Sequence, residues 1–176
     1  MLSIITHGWN SNSKEHFFPH LRRELTKAGS DVLCPDMPNT RYPQLSEWKE
    51  HLKKQLNGRS VDLFIGHSLG GVLAMSMVTT DEIRIKHLIT ICSSPGWKND
   101  DELNNFLNPV ISFDKIKQSV ESFTVVHSYD DPHCAFEYGM IMVKQAGATG
   151  IFYGDQGHFL TKKLPGDLLD IIKSHC

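Results

Sequence analysis

Residues 61 to 78, VDLFIGHSLGGVLAMSMV, carry the tightest constraint in the chain. Val61 to Ile65 form a largely apolar run of strand length, with Asp62 its one polar residue, the pattern of a strand buried on both faces. Leu69 to Val78 are apolar nearly all round, as expected of a helix packed inside a core. Only Gly66, His67 and Ser68 separate the two. A segment that merely connects a strand to a helix is longer and more polar. A buried strand that passes at once into a buried helix predicts a parallel sheet covered by helices on both faces.

The rest of the chain repeats that alternation. Leu2 to Thr6, Val32 to Cys34, Val61 to Ile65, Leu88 to Cys92, Phe123 to His127 and Gly150 to Tyr153 read as short strands rich in Ile, Val, Leu and Phe. Leu21, Leu25 and Ala28 share a face of a first helix that Asn12 and Glu15 could open as a capping box. Leu45, Trp48, Leu52 and Leu56 share a face of a second, just after Pro43. Phe136, Met140 and Val143 mark a later helix, and Leu164, Leu168 and Ile172 a last one. The pattern predicts one α/β domain over residues 1 to 176, a three-layer α/β/α sandwich with a mostly parallel six-stranded sheet. The long irregular stretch is 93 to 112, SSPGWKNDDELNNFLNPVIS.

Composition removes several function classes. A formal charge of -2 with no basic tract argues against a nucleic-acid partner. No apolar run reaches membrane-spanning length, and MLSIITHGW is too short and too uncharged for a secretory signal, so the expected location is the cytoplasm. The four cysteines, Cys34, Cys92, Cys134 and Cys176, stand far apart without a CxxC pair, which suggests neither a zinc site nor a redox motif. Cys34 and Cys92 end apolar strands and read as reduced core residues. His16 and His20 are four apart, but Pro19 lies between them and no HExxH pattern accompanies them.

The serine on the tight turn now has a meaning. GHSLG matches G-x-S-x-G, the nucleophile elbow, in which glycines at 66 and 70 let strand and helix close while a strained Ser68 pushes its hydroxyl out of the sheet top. A serine hydroxyl needs a base and an orienting carboxylate to attack at neutral pH. In α/β-hydrolase order the acid follows a later strand and the histidine comes last, before the final helix. SYDDP follows FTVVH and offers Asp130 or Asp131; DQGHF follows GIFYG and offers His158. Leu69 N–H, just after the nucleophile, is one oxyanion donor, and the loop after the first strand, THGWNSNS, supplies Trp9 N–H or Gly8 N–H as the other. His7 and His67 read as packing residues that brace these turns.

HGW at 7 to 9, DMP at 36 to 38, IGHSLGG at 65 to 71, FDKIK at 113 to 117, SYDDP at 128 to 132 and GHF at 157 to 159 together resemble the small serine hydrolases related to retinoblastoma-binding protein 9, a compact branch of the α/β-hydrolase superfamily. The resemblance spans nearly the whole chain. It implies a minimal α/β-hydrolase fold entered at the central strands. It also implies that the second aspartate of DDP is the acid, which favours Asp131 beside Ser68 and His158.

The resulting expectation is a serine hydrolase that cleaves a carboxylic ester, thioester or amide through a Ser68 acyl-enzyme, without cofactor or metal. A dehalogenase or epoxide hydrolase would need a carboxylate where Ser68 stands. The alternative from another class is a binding module that keeps the fold with weak or no catalysis. The expected partner is a small acyl substrate, and the expected state a monomer or weak dimer. The 94 to 112 segment leaves room for only a turn or two of helix around Asp101 to Leu107, which predicts a short, open pocket; Trp9, Trp97, Phe106 and Phe159 either line it or pack as ordinary core and loop residues.

Overall fold

The computed structural model describes residues 1–96 and 103–176. Six strands, β1 (Leu2–Thr6), β2 (Asp31–Leu33), β3 (Val61–His67), β4 (Ile85–Ile91), β5 (Ser122–Ser128) and β6 (Thr149–Tyr153), form a single sheet in the order β2-β1-β3-β4-β5-β6. Every neighbouring pair is parallel, so the sheet is wholly rather than mostly parallel. The chain winds outward from β1 to one edge, then returns to β3 and proceeds to the other. The direction of winding reverses between β1 and β3, the place where open parallel sheets form their ligand crevices.

Helices α1 (Phe18–Lys27) and α7 (Gly166–Lys173) cover one face, where Leu21, Leu25, Leu168 and Ile172 pack on Ile5, Leu63, Ile65 and Ile89. Helices α2 (Leu45–Leu56), α3 (Leu69–Thr79), α5 (Phe113–Ser119) and α6 (Phe136–Ala146) cover the other, over Ile4, Phe64, Leu88 and Val125. Alternate residues of each strand thus feed two separate apolar layers, which is why the central strands show no polar face. Every residue of α3 from Leu69 to Val78 is buried, as its all-round apolar sequence requires. No helix among the described residues is long and apolar enough to cross a membrane.

Several local expectations are corrected. α1 starts at Phe18, with Pro19 in its first turn and no side-chain cap; Asn12 instead folds the preceding loop, accepting Lys14 N–H at 3.0 Å. Proline fits that position because a first-turn residue needs no N–H. In α6 the buried face is Gly139, Met142 and Ala146, while Met140 is exposed, because the helix rests its small residues on β5 and β6. Leu164 is buried but precedes α7. The FDKIK segment, assigned to no element by periodicity, is α5, and its start is marked by Ser112 Oγ accepting Lys115 N–H at 3.2 Å. Of the short helix expected around Asp101 to Leu107, the structure shows α4 (Asn104–Leu107); Asp101 and Trp97 lie outside the described residues. Phe106 is fully buried against Trp48, with ring centroids 4.8 Å apart, and is core rather than pocket lining. Phe159 is likewise fully buried, in the layer beneath α1 and α7.

Candidate active site

The carboxyl ends of β1, β3, β4, β5 and β6 open onto one edge of the sheet, and the candidate residues lie in the loops leaving them. Ser68 joins β3 to α3 with φ 53° and ψ -120°, a conformation that side-chain-bearing residues rarely adopt. Such strain costs on the order of 1–3 kcal/mol and persists only where neighbours over-determine it. Here they do: Ser68 N–H donates to Ile91 O at 2.9 Å, and Ser68 O accepts Ser93 Oγ at 2.9 Å and Gly71 N–H at 3.0 Å. The flanking glycines are sterically required, since a Cβ on Gly66 would stand 2.5 Å from Gly71 Cα and one on Gly70 2.5 Å from Thr6 O.

His158 and Asp131 meet from the loops after β6 and β5. His158 Nδ1 is 2.7 Å from Asp131 Oδ2, and with the carboxylate ionised the nitrogen is the donor. Asp131 Oδ1 accepts the N–H groups of His133 at 2.8 Å and Cys134 at 3.0 Å, so both carboxylate oxygens are committed. The Asp131 side chain is fully buried. Burial alone would raise its pKa, but the hydrogen bonds from His158 and Cys92 and the nearby imidazole outweigh it and hold the carboxyl well below the usual range. Asp130 does something else. Its Oδ1 accepts Ser128 Oγ at 2.5 Å and Gly157 N–H at 2.8 Å, which ties the loop after β5 to the loop that carries His158.

Two other histidines at this edge, His7 and His67, are braces, as their sequence positions suggest. His7 Nε2 accepts Met37 N–H at 2.9 Å, so the ring proton must sit on Nδ1, where it is given to Gly8 O at 3.0 Å. This bond locks the backbone at Gly8. Burial keeps His7 neutral by lowering its pKa. His67 Nε2 donates to His158 O at 2.9 Å, and burial, then the neighbouring His158, push its pKa down to about 3. A neutral His67 therefore holds the His158 backbone without competing for its proton.

Gly8 passes so close to Ser68 that a Cβ there would lie 2.7 Å from Ser68 Cβ and 3.1 Å from Ser68 Oγ. Leu69 occupies the first turn of α3, where a helix leaves its N–H groups without intrahelical partners. The Trp9 ring is anchored by Nε1 donating to Arg41 O at 2.9 Å and is nearly half exposed at 46%. Gly8, Trp9, Ser68, Leu69 and His158 all border a cavity of about 330 Å³, whose apolar wall includes Val72, Leu103, Tyr138 and Leu160. Cys92 borders it too, a residue read from sequence as plain core. It follows β4 by one position at φ 50° and places Sγ 3.7 Å from Gly157 O. Burial, then the Asp131 charge, push its thiol pKa far up, which favours the protonated thiol. The available signal was positional, since the residue just past each parallel strand reaches this edge.

A family model described as serine hydrolase matches residues 3–167. A Bacillus subtilis (strain 168) protein described as a hydrolase, YdeN, is 26% identical over 161 residues, 89% of this chain and 84% of that protein. The crystal structure of the B. subtilis ydeN gene product superposes with a TM-score of 0.85 at 22% identity, covering 99% of this chain and 97% of that one. The serine hydrolase RBBP9 of Rattus norvegicus is 22% identical over 172 residues, 97% of this chain and 88% of its own. A pimeloyl-[acyl-carrier protein] methyl ester esterase of Legionella pneumophila (strain Corby) is 28% identical over 101 residues, only 55% of this chain and 40% of the esterase. The chain belongs to the serine hydrolase family, and its fold is that of the α/β hydrolases.

Proposed function

We propose that this serine hydrolase cleaves small carboxylic esters through an acyl-enzyme on Ser68, with His158 as base, Asp131 as the orienting acid and Leu69 with Gly8 or Trp9 as oxyanion donors. The observation that carries the reading is the His158 Nδ1 to Asp131 Oδ2 bond of 2.7 Å on the same cavity as a strained Ser68. With Nδ1 committed to Asp131, the neutral imidazole presents a bare Nε2, the tautomer that accepts a hydroxyl proton. Ser68 Oγ attacks the acyl carbon as its proton passes to Nε2, and the charge on the acyl oxygen is met by the Leu69 N–H at a helix N-terminus and by an N–H of the Gly8–Trp9 loop. Nε2–H then protonates the leaving alkoxide. Water, deprotonated by the same nitrogen, releases the acid and restores Ser68.

Ester chemistry is preferred because the partly matching Legionella protein is a methyl ester esterase. A cavity of about 330 Å³ is at the small end for ligand sites, which supports short acyl chains. A fluorophosphonate probe should label the wild type and leave Ser68→Ala unlabelled; a folded wild type that stays unlabelled overturns the assignment. p-Nitrophenyl acetate or butyrate should turn over faster than palmitate, and a rate rising to long chains would contradict the small pocket.

A further inference from the structure

The cysteine spacing carries no metal motif, yet the fold brings one thiol to the acid–base pair. Cys92 Sγ, a carboxylate oxygen of Asp131 and a ring nitrogen of His158 all lie within 4.8 Å of one another, and among the described residues this is the group so arranged. Cys92 is buried, the Asp131 side chain is fully buried and that of His158 is 10% exposed, so water competes little for these donors. Cys92 and His158 both border the substrate cavity, which gives an ion a way in and leaves one side open to solvent.

We propose that Cys92, Asp131 and His158 form an inhibitory site for a thiophilic divalent cation, with Zn²⁺ the ion that fits. One thiolate, one imidazole and one carboxylate are a zinc donor set, whereas Mg²⁺ and Ca²⁺ call for oxygen ligands throughout. Three protein ligands with a fourth, open position is the arrangement of an accessible zinc site. The adjustment is small. Zinc bonds of about 2.0–2.3 Å at tetrahedral angles separate ligand atoms by roughly 3.5 Å. The Nδ1 to Oδ2 pair therefore opens from 2.7 Å, while the sulfur closes from at most 4.8 Å.

The protons balance simply. Cys92 gives its S–H proton to solvent and binds as thiolate. The imidazole keeps its one proton, which moves from Nδ1 to Nε2 when the metal takes Nδ1, so one proton is released for each ion bound. An imidazole protonated at Nε2 cannot accept the Ser68 proton, and the bond to Asp131 that set the tautomer is gone. The inhibition rests on the proposed role of His158 as base; the binding itself does not.

The test uses chelator-treated protein carrying Cys176→Ser, which removes the exposed thiol, with Co²⁺ as the spectroscopic probe and Zn²⁺ as the inhibitor. One equivalent of Co²⁺ is expected to give a thiolate-to-cobalt absorption in this protein and in its Ser68→Ala derivative. Cys92→Ala and Cys92→Ser should lack it. Zn²⁺ should inhibit p-nitrophenyl acetate hydrolysis reversibly, with EDTA restoring the rate and Mg²⁺ without effect. Cys92→Ser, scored against its own uninhibited rate, should need on the order of 100-fold more Zn²⁺, since loss of an outer-shell partner alone already costs about 10–100-fold. Absorption that persists in both Cys92 variants, or that never appears in the parent, overturns the site. A band present in a protein without esterase activity leaves the site standing and defeats the proposed esterase reading; activity without a band does the reverse.

Discussion

The elbow around Ser68 and the paired loops that carry Asp131 and His158 share one edge of the sheet but are held there differently. Ser68 is placed by its own neighbourhood: two glycines that no larger residue could replace and backbone bonds to Ile91 and Gly71, with Ser93 Oγ closing on its carbonyl. Asp131 and His158, the proposed acid and base, lie in the loops after β5 and β6 and are held largely by bonds between those loops. Asp130 reaches Gly157, Ser128 Oγ accepts Gln156 N–H at 2.9 Å, and His67 holds His158 O. One part is a local, strained turn. The other is a set of cross-loop hydrogen bonds, so its geometry should yield by degrees.

The largest effect that can break this contrast lies between adjacent residues. Asp131→Asn should lower kcat by about 10⁴-fold, because an amide can present N–H to Nδ1 and select the wrong tautomer. Asp130→Asn, which weakens the ties to Ser128 Oγ and Gly157 N–H, should cost no more than about 100-fold. Steady-state kinetics of the two variants decide it, and the opposite ranking moves the acid one residue back.

Beside Ser68, Gly8→Ala sets a Cβ 2.7 Å from Ser68 Cβ and displaces a proposed oxyanion donor. A loss of about 10²–10³ in kcat is expected, with KM little changed, since the interaction forms mainly in the transition state. A change confined to KM would show that Gly8 shapes substrate binding rather than the oxyanion.

The brace can be probed through acid stability. His67 and His127 have folded pKa values of about 3 and about 4, with burial as the main cause in both. These lie below the ordinary 6.5, so on acidification the unfolded chain takes up protons first. Their neutrality costs nothing above pH ~6.5, and stability falls between there and pH ~4 by about 1.4 kcal/mol per pH unit for each ring. Urea midpoints at pH 7, 6 and 5 should decline accordingly before most carboxylates titrate. His67→Phe should roughly halve the slope while reducing kcat by about tenfold or less, through the lost bond to His158 O. An unchanged slope would mean that His67 ionises freely in the fold.

The elements that short-range physics specifies were legible in the chain itself. Apolar runs named the six strands, and helical spacing named the buried Leu21 and Leu25 of α1, Trp48, Leu52 and Leu56 of α2 and Leu168 and Ile172 of α7, although Ala28 proves to be the exposed C-cap of α1 and Leu164 precedes α7; G-x-S-x-G fell where strand and helix leave no room for side chains. Ser68, His158 and the Gly8–Trp9 loop followed from chain order on such a sheet, because parallel strands bring the same ends of successive loops together. Between Asp130 and Asp131 the residues alone were silent, and only the family resemblance favoured Asp131. The two differ in which way one peptide turns, and that turn is set by Gly157, His133 N–H and Cys134 N–H. Phe106 and Phe159 pointed into the core, and Met140 outward, for the same reason: periodicity tells how residues share a face but not what that face meets. The approach of Cys92 to Asp131 and His158 joins loops 39 to 66 residues apart, and such a contact exists only when the sheet has closed in register.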